Sequence, residues 1–292
     1  MQAPPVDVKQ LSKRYKNGVW ANREISLTVE PGELLGILGP NGAGKTTLVR
    51  QITTELIPTS GEVRVFGIDA VANYNEAKGY MGVMPQEAQL YYGLSVRHHL
   101  RIFGKLRGLS GRMAARRAEE LIADLRLEEH RNKLADELSG GLKRRLLIGI
   151  AALADPPLMV LDEPSAGLDP EARHDLWDLL LGYRRQGSTI LLTTHNMEEA
   201  EVLCDRVGII QDGRLLALDT VDNLKAGHGF AYKIMFDAGA RTETLYGASD
   251  RELVAQVQAK GIRQYAVART TLEDVYLGLT RDKRTLDEDG AS

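Results

Sequence analysis

The chain has 292 residues, a formal net charge of −3, 26% charged residues and one cysteine. That length holds one large domain plus a smaller appendage, and the near-balanced charge argues against a strongly basic nucleic-acid binder. The lone Cys204 excludes an internal disulfide and suits a small packing residue in a reducing compartment. Residues 1–5, Met-Gln-Ala-Pro-Pro, carry neither the basic start nor the apolar run of a secretory signal, and no uncharged apolar stretch nears the roughly 20 residues of a spanning helix. The expected location is therefore cytoplasmic.

Apolar runs at 6–8, 25–29 and 34–38, separated by Asn17-Gly18 and Pro31-Gly32, predict strands. The third runs into a glycine-rich turn and then into 46–56, where Leu48, Ile52 and Leu56 share one helical face. From 96 to 127 the pattern is helical, with Leu100, Phe103 and Leu106 on one stripe and Ala118, Leu121, Ile122 and Leu125 on another within 114–125. A helix over 145–154 is stopped by Pro156-Pro157, and Leu158-Met159-Val160-Leu161 suits a strand buried on both faces. A helix at 173–185 and strands at 189–194 and 207–210 complete an alternation that predicts an α/β domain with a mainly parallel sheet.

Asp222-Asn223, Gly227 and Gly229 make 220–229 turn-rich, which sets the expected boundary between a domain at 1–220 and a small accessory domain at 221–292. The second part reads as strand 230–236, helix 251–260, strand 262–267 and helix 272–279, an α+β appendage with an acidic tail expected to fray. No internal repeat is visible.

Gly39-Pro40-Asn41-Gly42-Ala43-Gly44-Lys45-Thr46, followed by Thr47, has the spacing G-x-x-x-x-G-K-[ST], in which backbone N–H groups wrap the phosphates of ATP. Lys45 is the cation for the β and γ phosphates, Thr46 supplies a hydroxyl to Mg²⁺, and the helix that begins there adds its positive dipole end. An ordinary glycine-rich turn is the alternative, and the strand before it and the helix after it weigh against that. The apolar strand 158–161 then ends in Asp162-Glu163. Asp162 is assigned to Mg²⁺ and Glu163 to the attacking water, on the ground that successive strand residues point oppositely.

Between these motifs lies Leu138-Ser139-Gly140-Gly141-Leu142-Lys143-Arg144-Arg145, and here the chain resembles the ATP-binding cassette (ABC) family. The resemblance covers about 6–220. It implies a P-loop NTPase core with an N-terminal antiparallel β part and a helical subdomain at about 87–145. It also implies that Ser139, Gly140 and Gly141 cap the nucleotide bound by a partner cassette. The family's glutamine at the fifth signature place is Leu142 here, and Ser139 also suits an N-cap.

By the same resemblance Tyr15 stacks on adenine, Gln86 meets Mg²⁺ and the attacking water, Asp169 crosses the dimer interface, and His195 reads the γ phosphate. Each has a plainer alternative: a strand aromatic, a loop glutamine, a helix start at Asp169-Pro170, and a structural histidine. The expected catalytic set is Glu163, His195 and Gln86, and the metal set is Thr46, Gln86 and Asp162.

The segments 142–145 and 271–277 resemble the bacterial exporter-type branch. That implies an ATP-hydrolysing subunit on the inner face of the membrane, paired with a second cassette and a separate permease. A soluble ABC ATPase acting on ribosomes or DNA is the alternative, and no nucleic acid is expected as a partner. Leu90-Tyr91-Tyr92-Gly93-Leu94 offers an apolar docking surface or a folded core turn. The acid-free basic run from Arg97 to Arg117 suits either anionic lipid headgroups or a solvated helix face.

Overall fold

The structure is a computed structural model describing residues 3–227, 229–237 and 241–289. The chain divides into two compact units, Met1–Leu215 and Leu216–Ser292, a few residues ahead of the expected division at 220. Among the described residues no helix is long and apolar enough to cross a membrane.

The first unit opens with β1 (Val6–Arg14) and β2 (Trp20–Val29), joined by a tight turn in which Gly18 N–H donates to the Tyr15 carbonyl at 2.9 Å. Both strands outrun the apolar cores visible in the sequence, because their outer halves carry polar residues that still pair. β3 (Leu34–Leu38) is buried throughout and leads through the glycine-rich loop into α1 (Lys45–Ile52). This helix stops short of the expected residue 56, since Thr54 takes the left-handed conformation at φ 66°. β4 (Ser60–Val65), β5 (Ile68–Asp69), α2 (Tyr74–Gly79) and β6 (Met81–Met84) follow.

The helical part contains α3 (Val96–Leu106), α4 (Gly111–Asp124) and α5 (Gly140–Ala151). The first two are capped by the hydroxyls of Ser95 and Ser110. Leu100 is buried as its stripe predicts, but Leu106, the last residue of α3, is 74% exposed, so the expected stripe ends before it. β7 (Leu158–Asp162), α6 (Pro170–Arg185), β8 (Thr189–Thr194), α7 (Met197–Leu203) and β9 (Arg206–Gln211) complete the alternation. β10 (Arg214–Thr220) carries the chain across the division.

β1, β2, β4 and β5 form an antiparallel sheet of order β2-β1-β4-β5. The six-stranded sheet has the order β10-β9-β3-β8-β7-β6, and the pairs β9/β3, β3/β8, β8/β7 and β7/β6 are all parallel. Every residue of β3, β7 and β8 is buried, as an apolar run covered on both faces requires. One large core joins the sheet to α3–α6, and Cys204 packs partly buried against it.

In the second unit α8 (Val221–Gly227) is a helix where turn residues predicted a linker, its start held by the Thr220 hydroxyl accepting from Asn223 N–H at 3.1 Å. β11 (Tyr232–Asp237), β12 (Thr242–Gly247) and β13 (Tyr265–Arg269) form an antiparallel sheet of order β12-β11-β13. On it α9 (Asp250–Ala259) buries Leu253 and Val257 against Ile234 and Phe236. α10 (Leu272–Asp289) runs through Gly278 and continues well past the expected end at 279, because no further glycine or proline occurs between Leu279 and Gly290. The acidic tail is therefore helical to Asp289, and residues 290–292 lie outside the described part. Asp274 ties α10 to the sheet: it accepts from Lys233 Nζ at 2.8 Å and from the Tyr246 hydroxyl at 2.9 Å. Burial pushes its carboxyl up, but Lys233, Thr271 and Tyr246 together hold it below its ordinary value.

Candidate functional site

Four adjacent parallel strands, β3, β8, β7 and β6, each deliver one piece of the site from their C-terminal ends, where open α/β sheets bind ligands. β3 delivers residues 39–45. A Cβ on Gly39 would stand 2.3 Å from the Ile210 carbonyl oxygen, and one on Gly44, at φ 104°, would stand 2.2 Å from that of Ala21. Only glycine fits either place. Asn22 of β2, wholly buried, donates to the Gly44 carbonyl at 3.1 Å and accepts from Gln51 of α1 at 2.8 Å. The loop is thereby fastened on one side to the antiparallel sheet and on the other to α1.

Lys45 is 4% exposed; its Nζ donates to the carbonyls of Gly39 at 2.9 Å and Pro40 at 3.1 Å and lies 3.1 Å from Glu163 Oε1. β7 delivers Asp162 and Glu163. The two acids differ in direction for a reason other than strand alternation: Glu163 lies just past β7 with φ 50°. Thr193 on β8 holds that turn, its carbonyl and hydroxyl both accepting from Glu163 N–H at 3.1 and 3.0 Å.

The same Thr193 hydroxyl donates to Asp162. Burial pushes the Asp162 carboxyl above its ordinary pKa, with Glu163 adding to the push and hydrogen bonds from Thr193 and Thr46 opposing it. β8 also delivers His195, half exposed, whose Nδ1 lies 3.0 Å from Glu163 Oε2. β6 delivers Gln86, which accepts from the Thr46 hydroxyl at 3.1 Å.

A cleft of about 340 Å³ opens over this assembly, lined by Asn41, Gly42, Gly44, Lys45, Thr46, Thr47, Gln86 and Glu163. Tyr15 closes one end, its hydroxyl 3.2 Å from that of Thr47. Beside it stands Trp20, partly exposed, with the Arg14 guanidinium 5.5 Å from its ring centre. Sequence reading missed Trp20, Asn22, Gln51 and Thr193. An aromatic just after the Asn17-Gly18 turn was the one usable signal.

The signature residues lie elsewhere. Ser139 caps α5, accepting from Leu142 N–H at 3.4 Å, and Asp169 caps α6, accepting from Ala172 N–H at 2.9 Å. Neither they nor Gly140 and Gly141 line the cleft over Lys45. Leu142 packs against the core. Gly141 faces α6 so closely that a Cβ would stand 2.9 Å from that of Ala172.

The segment before α3 exposes Tyr91 (62%) and Tyr92 (86%). Beneath them the buried His99 accepts from Tyr91 N–H through Nε2 at 2.9 Å, which leaves the proton on Nδ1 to donate to the Ser95 carbonyl at 3.0 Å. Burial pushes its pKa down and keeps this tautomer neutral. The basic run does meet acids: Arg97 pairs with Glu119, Arg116 with Glu120, and Arg117 with Glu120 and Asp155. Acids from outside the run thus pair with three of its seven cations.

The ABC transporter family profile matches residues 22–166. The chain is 37% identical over 258 residues to the Nod factor export ATP-binding protein I of Rhizobium sp. (strain N33), spanning 88% of this chain and 82% of that protein. The chain belongs to the ATP-binding cassette family. This cassette is also 34% identical to mouse ATP-binding cassette sub-family A member 7, over 90% of its own length but only 14% of that protein's. It shares its fold with the MJ0796 cassette, solved as a post-hydrolysis dimer bound to ADP and Pi: 26% identity, TM-score 0.67, 74% of this chain and 98% of that one. The cassette is an ATPase with the α/β P-loop NTPase fold of the family.

Proposed function

We propose that this cassette powers export through a separate membrane permease, and that it does so by ATP-driven pairing of two cassettes. The observation that carries the reading is Glu163 held between Lys45 and His195 in the cleft, while Ser139 and Asp169 stand away from it as helix caps. One chain then supplies a complete cradle and, on another face, the lid for a second copy. ATP lies between the cradle of one cassette and the signature turn of the other, so that nucleotide joins the pair and hydrolysis releases it.

Within the cradle Tyr15 stacks on the base, the backbone N–H groups of Asn41, Gly42 and Gly44 and the Lys45 ammonium take the phosphates, and Thr47 supports Tyr15. Thr46, Gln86 and Asp162 present a hydroxyl, an amide oxygen and a carboxylate side by side, an all-oxygen set that fits Mg²⁺. When bound, Mg²⁺ supplies positive charge to the β and γ phosphates. Glu163 accepts a hydrogen bond from the attacking water, whose oxygen bonds to the γ phosphorus as the bond to the β–γ bridging oxygen breaks, leaving ADP and phosphate. His195 orients Glu163 and meets the γ phosphate.

The load is argued from the relatives' export names and from the exposed Tyr91-Tyr92 segment that His99 shapes. Such a machine works at the cytoplasmic face of the membrane. Purification from detergent-solubilised membranes tests the reading: a multi-span permease should copurify with the chain. Copurification with ribosomes instead would overturn it.

A further inference from the structure

Arg144 reaches from the signature helix to the loop that carries the catalytic carboxylate. It lies on α5, one turn after Ser139, and its Nη2 donates to the Ala166 carbonyl at 3.4 Å. Ala166 is not a distant bystander, since its own N–H donates to the Glu163 carbonyl at 3.2 Å and closes the turn in which Glu163 takes φ 50°. The Arg144 guanidinium is half buried, and the Glu163 carboxylate acts on it electrostatically through that low-dielectric surrounding.

The same loop is gripped from its other end by Arg173 of α6, whose Nη2 donates to the Leu168 carbonyl at 3.2 Å, and α5 and α6 meet closely at Gly141 and Ala172. Residues 164–168 are thus hung between two arginines, one on the helix that Ser139 begins and one on the helix that Asp169 begins. A solvent-facing arginine that served only solubility would not spend its donor on a loop carbonyl beside a buried acid.

We infer that Arg144 is a positioning residue that couples the signature turn of a cassette to Glu163 of the same chain. The inference rests on the paired-cassette reading above. In that arrangement the signature turn touches the partner's nucleotide, and Glu163 acts on the chain's own. Engagement of Ser139 by the partner's triphosphate settles the start of α5; Arg144 passes that placement to Ala166, and Ala166 passes it to the turn of Glu163. Each site thereby reads the occupancy of the other, which is a coupling between two sites carried by a named contact.

The test uses the full-length chain with its permease, where that is available, and otherwise the isolated cassette. Steady-state ATPase is measured against ATP for wild type, Arg144→Ala and Arg144→Lys. Arg144→Ala should lower kcat about tenfold and bring the Hill coefficient toward one, with KM for ATP changed less than about twofold. Arg144→Lys, which keeps the charge and a donor, should recover most of both.

Retention of wild-type kcat and cooperativity by Arg144→Ala overturns the proposal. So does a loss that Arg144→Lys fails to restore and that comes with a lowered melting temperature, which is the mark of a packing role. Size-exclusion chromatography with ATP separates this result from the sandwich reading. Glu163→Gln should pair, and Glu163→Gln with Arg144→Ala should still pair. Failure of the single Glu163→Gln variant to pair sinks the paired-cassette reading itself and the coupling with it.

Discussion

The cradle and the signature face are made from the same chain but in opposite conditions. Around Lys45 every functional side chain is already engaged with another: Lys45 with Glu163, Glu163 with His195, Asp162 with Thr193, and Thr46 with Gln86. On the signature face Ser139 and Asp169 each satisfy only the first turn of their own helix. The cradle is therefore organised by the fold alone, through four strand ends that the parallel sheet brings together, whereas on the signature face the packing of α5 on α6 leaves the Ser139 and Asp169 side chains with helix capping as their role within the described residues. On the proposed reading, a second cassette supplies what that face lacks.

Mutations on the two sides should separate along that line. The largest effect belongs to Glu163→Gln, which keeps shape but removes the carboxylate. Turnover should fall by about a thousandfold with ATP still bound, read by ATPase assay beside a fluorescent-nucleotide titration. Lys45→Ala should weaken nucleotide binding by about a hundredfold, since it also strands Glu163 as a buried charge; unaltered affinity in that titration would remove the cradle from the account.

Ser139→Ala sharpens the contrast, because the isolated chain should bind ATP as before while turnover at high protein concentration drops about tenfold and the melting curve records about 1 kcal/mol from the lost cap. If monomeric binding also falls, the signature face is not separate from the cradle. Tyr15→Ala gives the smallest change, a KM for ATP raised about fivefold at constant kcat, because stacking on the base contributes about 1 kcal/mol and takes no part in the bond-breaking step.

What the sequence disclosed follows the same physical divide. The motif at 39–46 and the acids after 158–161 were legible because they sit at the ends of uninterrupted apolar runs, and such runs predict buried parallel strands with little competition. The supports of those motifs were not. Asn22 and Gln51 are ordinary polar letters whose burial depends on two elements meeting, and Thr193 looks like any strand threonine until β7 lies beside β8.

The turn at Glu163 was misread as plain strand continuation, because left-handed backbone in a glutamate is set by tertiary hydrogen bonds and not by local preference. Short strands with polar faces, β4 and β12, and the capped α8 were hidden for a related reason: pairing and capping partners decided them. The pairing of Arg97 with Glu119 likewise required α4 to fold back on α3, and that of Arg117 with Asp155 required α4 to meet the segment after α5.

Asn22 has a further consequence for selectivity. Because it fastens Gly44 to the strand pair whose turn begins at Tyr15, the base seat and the phosphate seat proposed above belong to one hydrogen-bonded framework. On that proposal ADP and ATP should occupy it alike, which a fluorescent-nucleotide titration with each checks. On the paired-cassette proposal, telling fuel from ash then falls to groups beyond the second phosphate, Glu163 and His195 on the near side and the second cassette on the far one.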